Sequence, residues 1–217
     1  YGLSKRDRLR PTEPLKQAVD HLSGALALEE VDVYVSSKAI EDVVIELSSP
    51  ASLIIPSWAS GLNRSELVFL LARPLSLIAL GLAPLGRMGA TEAATLLLGA
   101  ARLGSEAVGR GSASEAELAA AKASVDRAIP WLSRRSVEGA IQAYLEAPSP
   151  DLLAWTRDAH ATARRAALLI SDDLLAAAKI CAQTKGLAEG RDAETAGLIR
   201  FWLSDTAVRF RAAARRR

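Results

Sequence analysis

Asn63-Arg64-Ser65-Glu66-Leu67-Val68-Phe69-Leu70-Leu71-Ala72-Arg73-Pro74-Leu75-Ser76-Leu77 is the stretch that decides the fold. Asn63 and Glu66 stand three apart, the spacing at which a side-chain oxygen and a carboxylate each satisfy a backbone N–H at a helix start. A helix is therefore predicted to begin there. The apolar run that follows, residues 67 to 84, approaches the roughly 17 to 25 residues of a membrane span. It carries Arg73 at its middle, however, and an arginine at the bilayer centre costs at least ~2.5 kcal/mol. A buried central helix is the better reading, and the chain is expected not to span a membrane. Pro74 lacks a backbone donor and collides with the carbonyl of Leu70, at about 3 kcal/mol for a straight helix, so a kink or restart is expected near it.

On the N-terminal side, Leu15, Val19, Leu22 and Leu26 recur at helical steps, which predicts an amphipathic helix over residues 12 to 28. The period then changes. Val31, Val33 and Val35 alternate with polar residues, and the segments 42 to 47 and 52 to 55 follow between Ser/Pro breaks, predicting three short antiparallel strands. Beyond Pro84, helical patterns recur at about 91–104, 114–128, 130–146, 150–169, 171–185 and 192–204. Ser114 and Glu117 repeat the capping arrangement. The expected fold is α+β and predominantly helical: a small three-stranded antiparallel sheet beside a central helix, with a helical C-terminal half, in one domain over residues 1–217. Segments 104–112 and 185–191 are the most linker-like, yet short enough to join packed helices, and no 30–45-residue repeat is visible.

Charge narrows the partners. With 27 basic and 25 acidic side chains the net charge is +2, too small for a general polyanion binder. Basicity gathers at the end, where Arg215, Arg216 and Arg217 offer a possible anion contact beside Phe201, Trp202 and Phe210. The bland alternative is a solvated end, with those aromatics packed back onto the body. Cys181 is the single cysteine, which removes an internal disulfide and a cysteine-based zinc site and suits a reducing, cytoplasmic setting. The opening residues lack the apolar segment of a secretory leader, and the chain is expected to be the C-terminal piece of a longer one. Trp58, Trp131 and Trp155 read as core or helix-joint residues.

The order of helix, small sheet and Glu66-Leu67-Val68-Phe69-Leu70-Leu71-Ala72 resembles the zinc metallopeptidases of the HtpX and CAAX prenyl protease class. In that class this segment leads into His-Glu-x-x-His, two imidazoles one turn apart with a glutamate that activates water. Here Arg73 stands at the first ligand, Pro74 at the base and Leu77 at the second ligand. The segment from Trp155 to Leu168 is similar to the helix that supplies the third ligand, with His160 at its glutamate, Arg164 at its aspartate and Ala167 at its glycine. The resemblance thus implies a degenerate zincin-like frame with no catalytic residues, no metal and no cofactor. Its remnant cleft would be formed by Arg73, Pro74, Leu77, His160 and Arg164. Degenerate copies of this kind occur at the ends of large bacterial tetratricopeptide-repeat proteins, which implies a covalently linked upstream repeat region.

Other templates fail on spacing. Gly109-Arg110-Gly111-Ser112 stops short of a phosphate loop or nucleophile elbow, and Asp172-Asp173 after Ser171 suits a helix start better than a catalytic pair. His21 has no ligand-spaced companion, and His160 alone reads as a satisfied, half-buried or surface histidine. Arg73 is expected in an ion pair with a carboxylate, or as an anion clamp in the cleft. The reading is therefore a non-catalytic interaction or structural domain that binds another protein, nucleic acid being disfavoured. The alternatives are an enzyme with an unrecognised site around Arg73, and a polyanion or membrane-surface binder acting through the terminal arginines.

Overall fold

A computed structural model of the chain describes residues 1–147, 151–184 and 191–214. These divide into two compact units, residues 1–87 with 158–217 and residues 88–157.

In the first unit, Pro14 opens α1 (Pro14–Ala25), where its missing N–H is of no consequence. Three strands follow: β1 (Asp32–Ser36), β2 (Val44–Glu46) and β3 (Ser52–Pro56). β3 lies in the middle, in the order β1-β3-β2. Antiparallel pairing holds for β2 with β3, but β1 pairs with β3 in parallel, Val33 opposite Leu53. The all-antiparallel expectation is corrected by this central position. A meander would have left β3 at an edge, whereas its buried Leu53, Ile54 and Ile55 need neighbours on both sides.

Helix α2 (Arg64–Ala79) begins as predicted: Asn63 Oδ1 accepts the Glu66 N–H at 3.0 Å, and Glu66 Oε2 accepts the Asn63 N–H at 3.1 Å. Lys179 donates to the same carboxylate at 2.6 Å. The expected restart at Pro74 does not occur, since α2 runs unbroken through it. Phe69, Leu70, Leu71, Ala72 and Leu75 are buried around the helix, and this packing outweighs one lost helical hydrogen bond. Together with Val19, Ile45, Ile55, Leu168, Ile180 and Leu198 they form one apolar core.

The second unit contains α3 (Ala90–Ala101), α4 (Glu115–Ala128) and α5 (Arg134–Glu146). α4 starts at the second predicted capping box, Ser114 with Glu117. Gly99 permits close contact between α3 and α4: a Cβ there would stand 2.6 Å from Ala121 Cβ and 2.7 Å from the Lys122 backbone nitrogen. Trp131 is not a core or joint residue. It is 83% exposed and its neighbour Leu132 82%, because both lie on a short 3-10 turn after Pro130 that no described element covers.

Helix α6 (Leu152–Ser171) contributes residues to both units. After it come α7 (Leu174–Gln183), capped by Asp173, whose side chain accepts the Ala176 N–H at 3.0 Å, and α8 (Arg191–Trp202). The cap is thus Asp173 rather than Ser171, which closes α6. A further helix, α9 (Asp205–Ala214), forms where the sequence suggested only a frayed end. Phe201 and Trp202 pack on the core. Phe210 does not, being exposed on α9. Among the described residues no helix is long and apolar enough to cross a membrane.

Candidate functional site

Helix geometry sets the cleft. Arg73, Pro74 and Leu77 lie on one face of α2, His160 and Arg164 lie one turn apart on α6, and all five line one small cavity of about 50 Å³. Asp42, just ahead of β2, and Glu194 of α8 complete the polar wall. Gly86 shapes the apolar side, since a Cβ there would meet Ile45 Cδ1 at 2.5 Å. The five residues singled out in the sequence are therefore brought together. The two carboxylates were not singled out.

Arg73 is held from three directions. Its Nη2 donates to Asp42 Oδ1 at 2.8 Å, its Nη1 makes a longer 3.4 Å contact with Thr184 Oγ1, and its guanidinium lies 5.5 Å from the ring centre of Phe69, one turn back on α2. Burial pushes the Asp42 carboxyl above its ordinary range, against the pull of Arg73 and of the Val43 N–H. Arg164 Nη1 donates to Glu194 Oε1 at 2.7 Å, with both side chains nearly inaccessible. In a low-dielectric interior such pairs persist because losing one partner would strand a charge. The ion pair expected for Arg73 is present, with Asp42 as the carboxylate.

His160 departs from expectation. It is 5% exposed, and its Nε2 makes no hydrogen bond to a described protein atom. Burial, then Arg164 and Arg73, lower its pKa to about 4, so the imidazole is neutral at pH 7. Its Nε2 is thus not satisfied, and the ring is buried rather than half-buried. The Arg73 Nε is likewise buried without a partner.

Zinc, which the resemblance would place here, does not fit these side chains. Pro74 and Leu77 have no donor atom, and Arg73 cannot lose its proton to become a ligand. The field of Arg73 and Arg164 that opposes protonation of His160 also opposes a metal cation. No group of three His, Cys, Asp or Glu side chains among the described residues is arranged to hold one. Cys181 is buried on α7, and burial raises its thiol pKa, which leaves it protonated and inert.

The remaining candidates lie apart. His21 is exposed on α1. Gly109 and Gly111, with φ of +72° and +82°, form a tight loop in the second unit, and Asp173 is a helix cap. Arg215, Arg216 and Arg217 fall outside the described residues, as does most of the linker-like segment 185–191. Little in the sequence could have revealed the carboxylates: Asp42 precedes an ordinary strand, and Glu194 sits among residues that read as a solvated first helical turn. No protein-family model, curated protein or solved structure matches the chain.

Proposed function

We propose that the chain is a non-catalytic binding or structural domain with a degenerate zinc-peptidase-like cleft, in which fixed ion pairs stand where metal chemistry would be. The carrying observation is the Arg73–Asp42 pair at 2.8 Å, with Arg164–Glu194 beside it. Hydrolysis needs a group that activates water or polarises a carbonyl. The cleft offers two cations engaged with carboxylates and one neutral imidazole, and its described lining includes no serine, threonine or cysteine.

A protein partner is the occupant this reading favours. Support comes from the second unit, where Leu97, Ala100 and Ala101 of α3 and Val137, Ala140 and Tyr144 of α5 line an open groove of about 380 Å³. Small alanines between larger side chains at helical spacing suit the apolar face of an amphipathic helix. A cytoplasmic setting belongs to the same reading and is supported by the free thiol of Cys181. The link to an upstream repeat region rests on the resemblance alone.

The test is to rebuild the missing ligands. A variant carrying Arg73→His, Pro74→Glu and Leu77→His, with His160 retained, is expected to bind one zinc per chain in equilibrium dialysis, where the native chain binds none. A rebuilt variant that folds by circular dichroism yet ignores zinc would defeat the peptidase-like reading of the cleft. For the partner, a photo-crosslinker at position 144 should capture one protein through an amphipathic helix, and Ala140→Asp should abolish that capture. Equal capture from a control position on the far side of α4 would refute the groove.

A further inference from the structure

We propose that the corner where α8 meets α9 docks on an anionic lipid surface, with Leu203 and Phe210 entering the headgroup layer and Arg200 and Arg209 facing its negative charges. None of these four residues lines the cleft, so the surface is independent of what the cleft holds.

The corner is closed by Arg211, whose Nη2 donates to the Trp202 carbonyl at 3.1 Å and whose guanidinium lies 3.7 Å from the centre of the Trp202 ring. That contact brings together the chain neighbours of its two members, Leu203 and Phe210. Both are left in solvent, 74% and 58% exposed. The Leu203 N–H donates to the Ile199 carbonyl at 3.2 Å, so Ile199, also exposed, stands one turn back on the same face. A single exposed leucine is ordinary. A leucine, an isoleucine and a phenylalanine gathered at one corner form an apolar patch of the kind that marks an interaction surface.

Charge identifies the partner. Residues 199–217 hold six arginines and one acid, Asp205. Arg200 and Arg209 are exposed and make no ion pair among the described residues. Arg200 lies three residues from Leu203, on its side of α8. Apolar side chains beside unpaired arginines are the pattern of a helix lying in a membrane interface, where the apolar groups leave water and the cations meet anionic lipid. A nucleic acid would instead use the arginines together with rings free to stack on bases. Here Phe201 and Trp202 pack on the core and face Arg165 and Arg211, while Ile199 and Leu203 offer a base nothing to stack on.

The experiment is co-sedimentation of the chain with vesicles of phosphatidylcholine alone or mixed with phosphatidylserine. Partition onto the mixed vesicles is expected, about tenfold or more weaker on phosphatidylcholine alone. Arg209→Gln should weaken it about fivefold, one arginine's share at such a surface, and Arg209→Lys should preserve it. Leu203→Ser combined with Phe210→Ser should weaken it about tenfold or more, through the apolar burial lost. Circular dichroism checks that each variant folds, and Leu203→Ser alone stands in should the double variant misfold. Trp131→Ser, which removes an exposed indole in the other unit, should leave partition unchanged. No partition, equal partition onto both kinds of vesicle, or a serine variant that partitions like the native chain would overturn the proposal. So would binding to polyuridylate without vesicle partition, which would make the corner a nucleic-acid contact.

Discussion

The two units differ in where their difficult side chains gather. The first gathers polar groups into one cleft: Arg164, Glu194 and the neutral His160 are buried, and Arg73 is largely so, beside an aliphatic core. The second leaves Trp131 and Leu132 in solvent, and its buried residues are few, among them Ala93, Ala94, Ala101, Leu118, Ile141 and a single arginine, Arg102, held by Glu115. Buried polar groups and exposed apolar patches are the informative exceptions to ordinary burial. Each unit has such exceptions, in a different place. For the first the exception is a cleft lined by ion pairs, and for the second an exposed Trp131 and Leu132.

The largest expected effect breaks the buried pair. Arg164→Ala removes the guanidinium that faces the buried Glu194 carboxylate and should cost about 3–5 kcal/mol in urea unfolding. Arg164→Met combined with Glu194→Leu should recover most of that loss, because the apolar pair leaves no charge inside. A single variant as stable as the native chain would mean that water reaches the pair.

Next comes acid sensitivity. The folded imidazole titrates at about 4, below its ordinary 6.5, so between those values the unfolded chain takes a proton that the folded one refuses. Its contribution is complete above pH 6.5 and is lost as pH falls towards 4, in all about 3 kcal/mol. Asp42 works in the other direction: its raised pKa favours the folded state on the acid side and is offset as pH rises through it. His160→Gln should remove the imidazole's share of the slope, and parallel stability–pH curves for the two proteins would contradict the burial of His160.

Smaller effects probe the second unit against the first. Gly99→Ala forces a methyl into the α4 backbone and should cost about 1–3 kcal/mol, read as hydrogen-exchange protection lost in α3 and α4. Asn63→Ala removes the α2 cap and should cost about 1 kcal/mol. Trp131→Ser should change stability by less than about 0.5 kcal/mol, although it removes an indole. A loss of several kcal/mol there would show that the exposed turn is covered in solution.

What could be read in advance follows the range of each interaction. Asn63 with Glu66 and Ser114 with Glu117 are local and were legible as helix starts. The apolar run through Leu70 and Leu71 marked the central helix, and the 67–84 and 155–168 segments did supply one cleft. Strand order was not legible, because short strands of similar composition do not encode whether β1 or β2 flanks β3, or in which direction. Asp42 and Glu194 were missed for a related reason. Each meets its arginine across about thirty residues, and a lone acid carries no mark of a distant partner. The exposure of Trp131 was misread because indole area argues for burial only where some element is present to cover it.

The central claim is that fixed guanidiniums hold the cleft in the way a metal would otherwise. Elemental analysis of the native chain, purified without chelator and dialysed against micromolar zinc, tests it most directly. Zinc well below one atom per chain, unchanged by His160→Ala, is the result expected. One zinc per chain, released by that substitution, would contradict it.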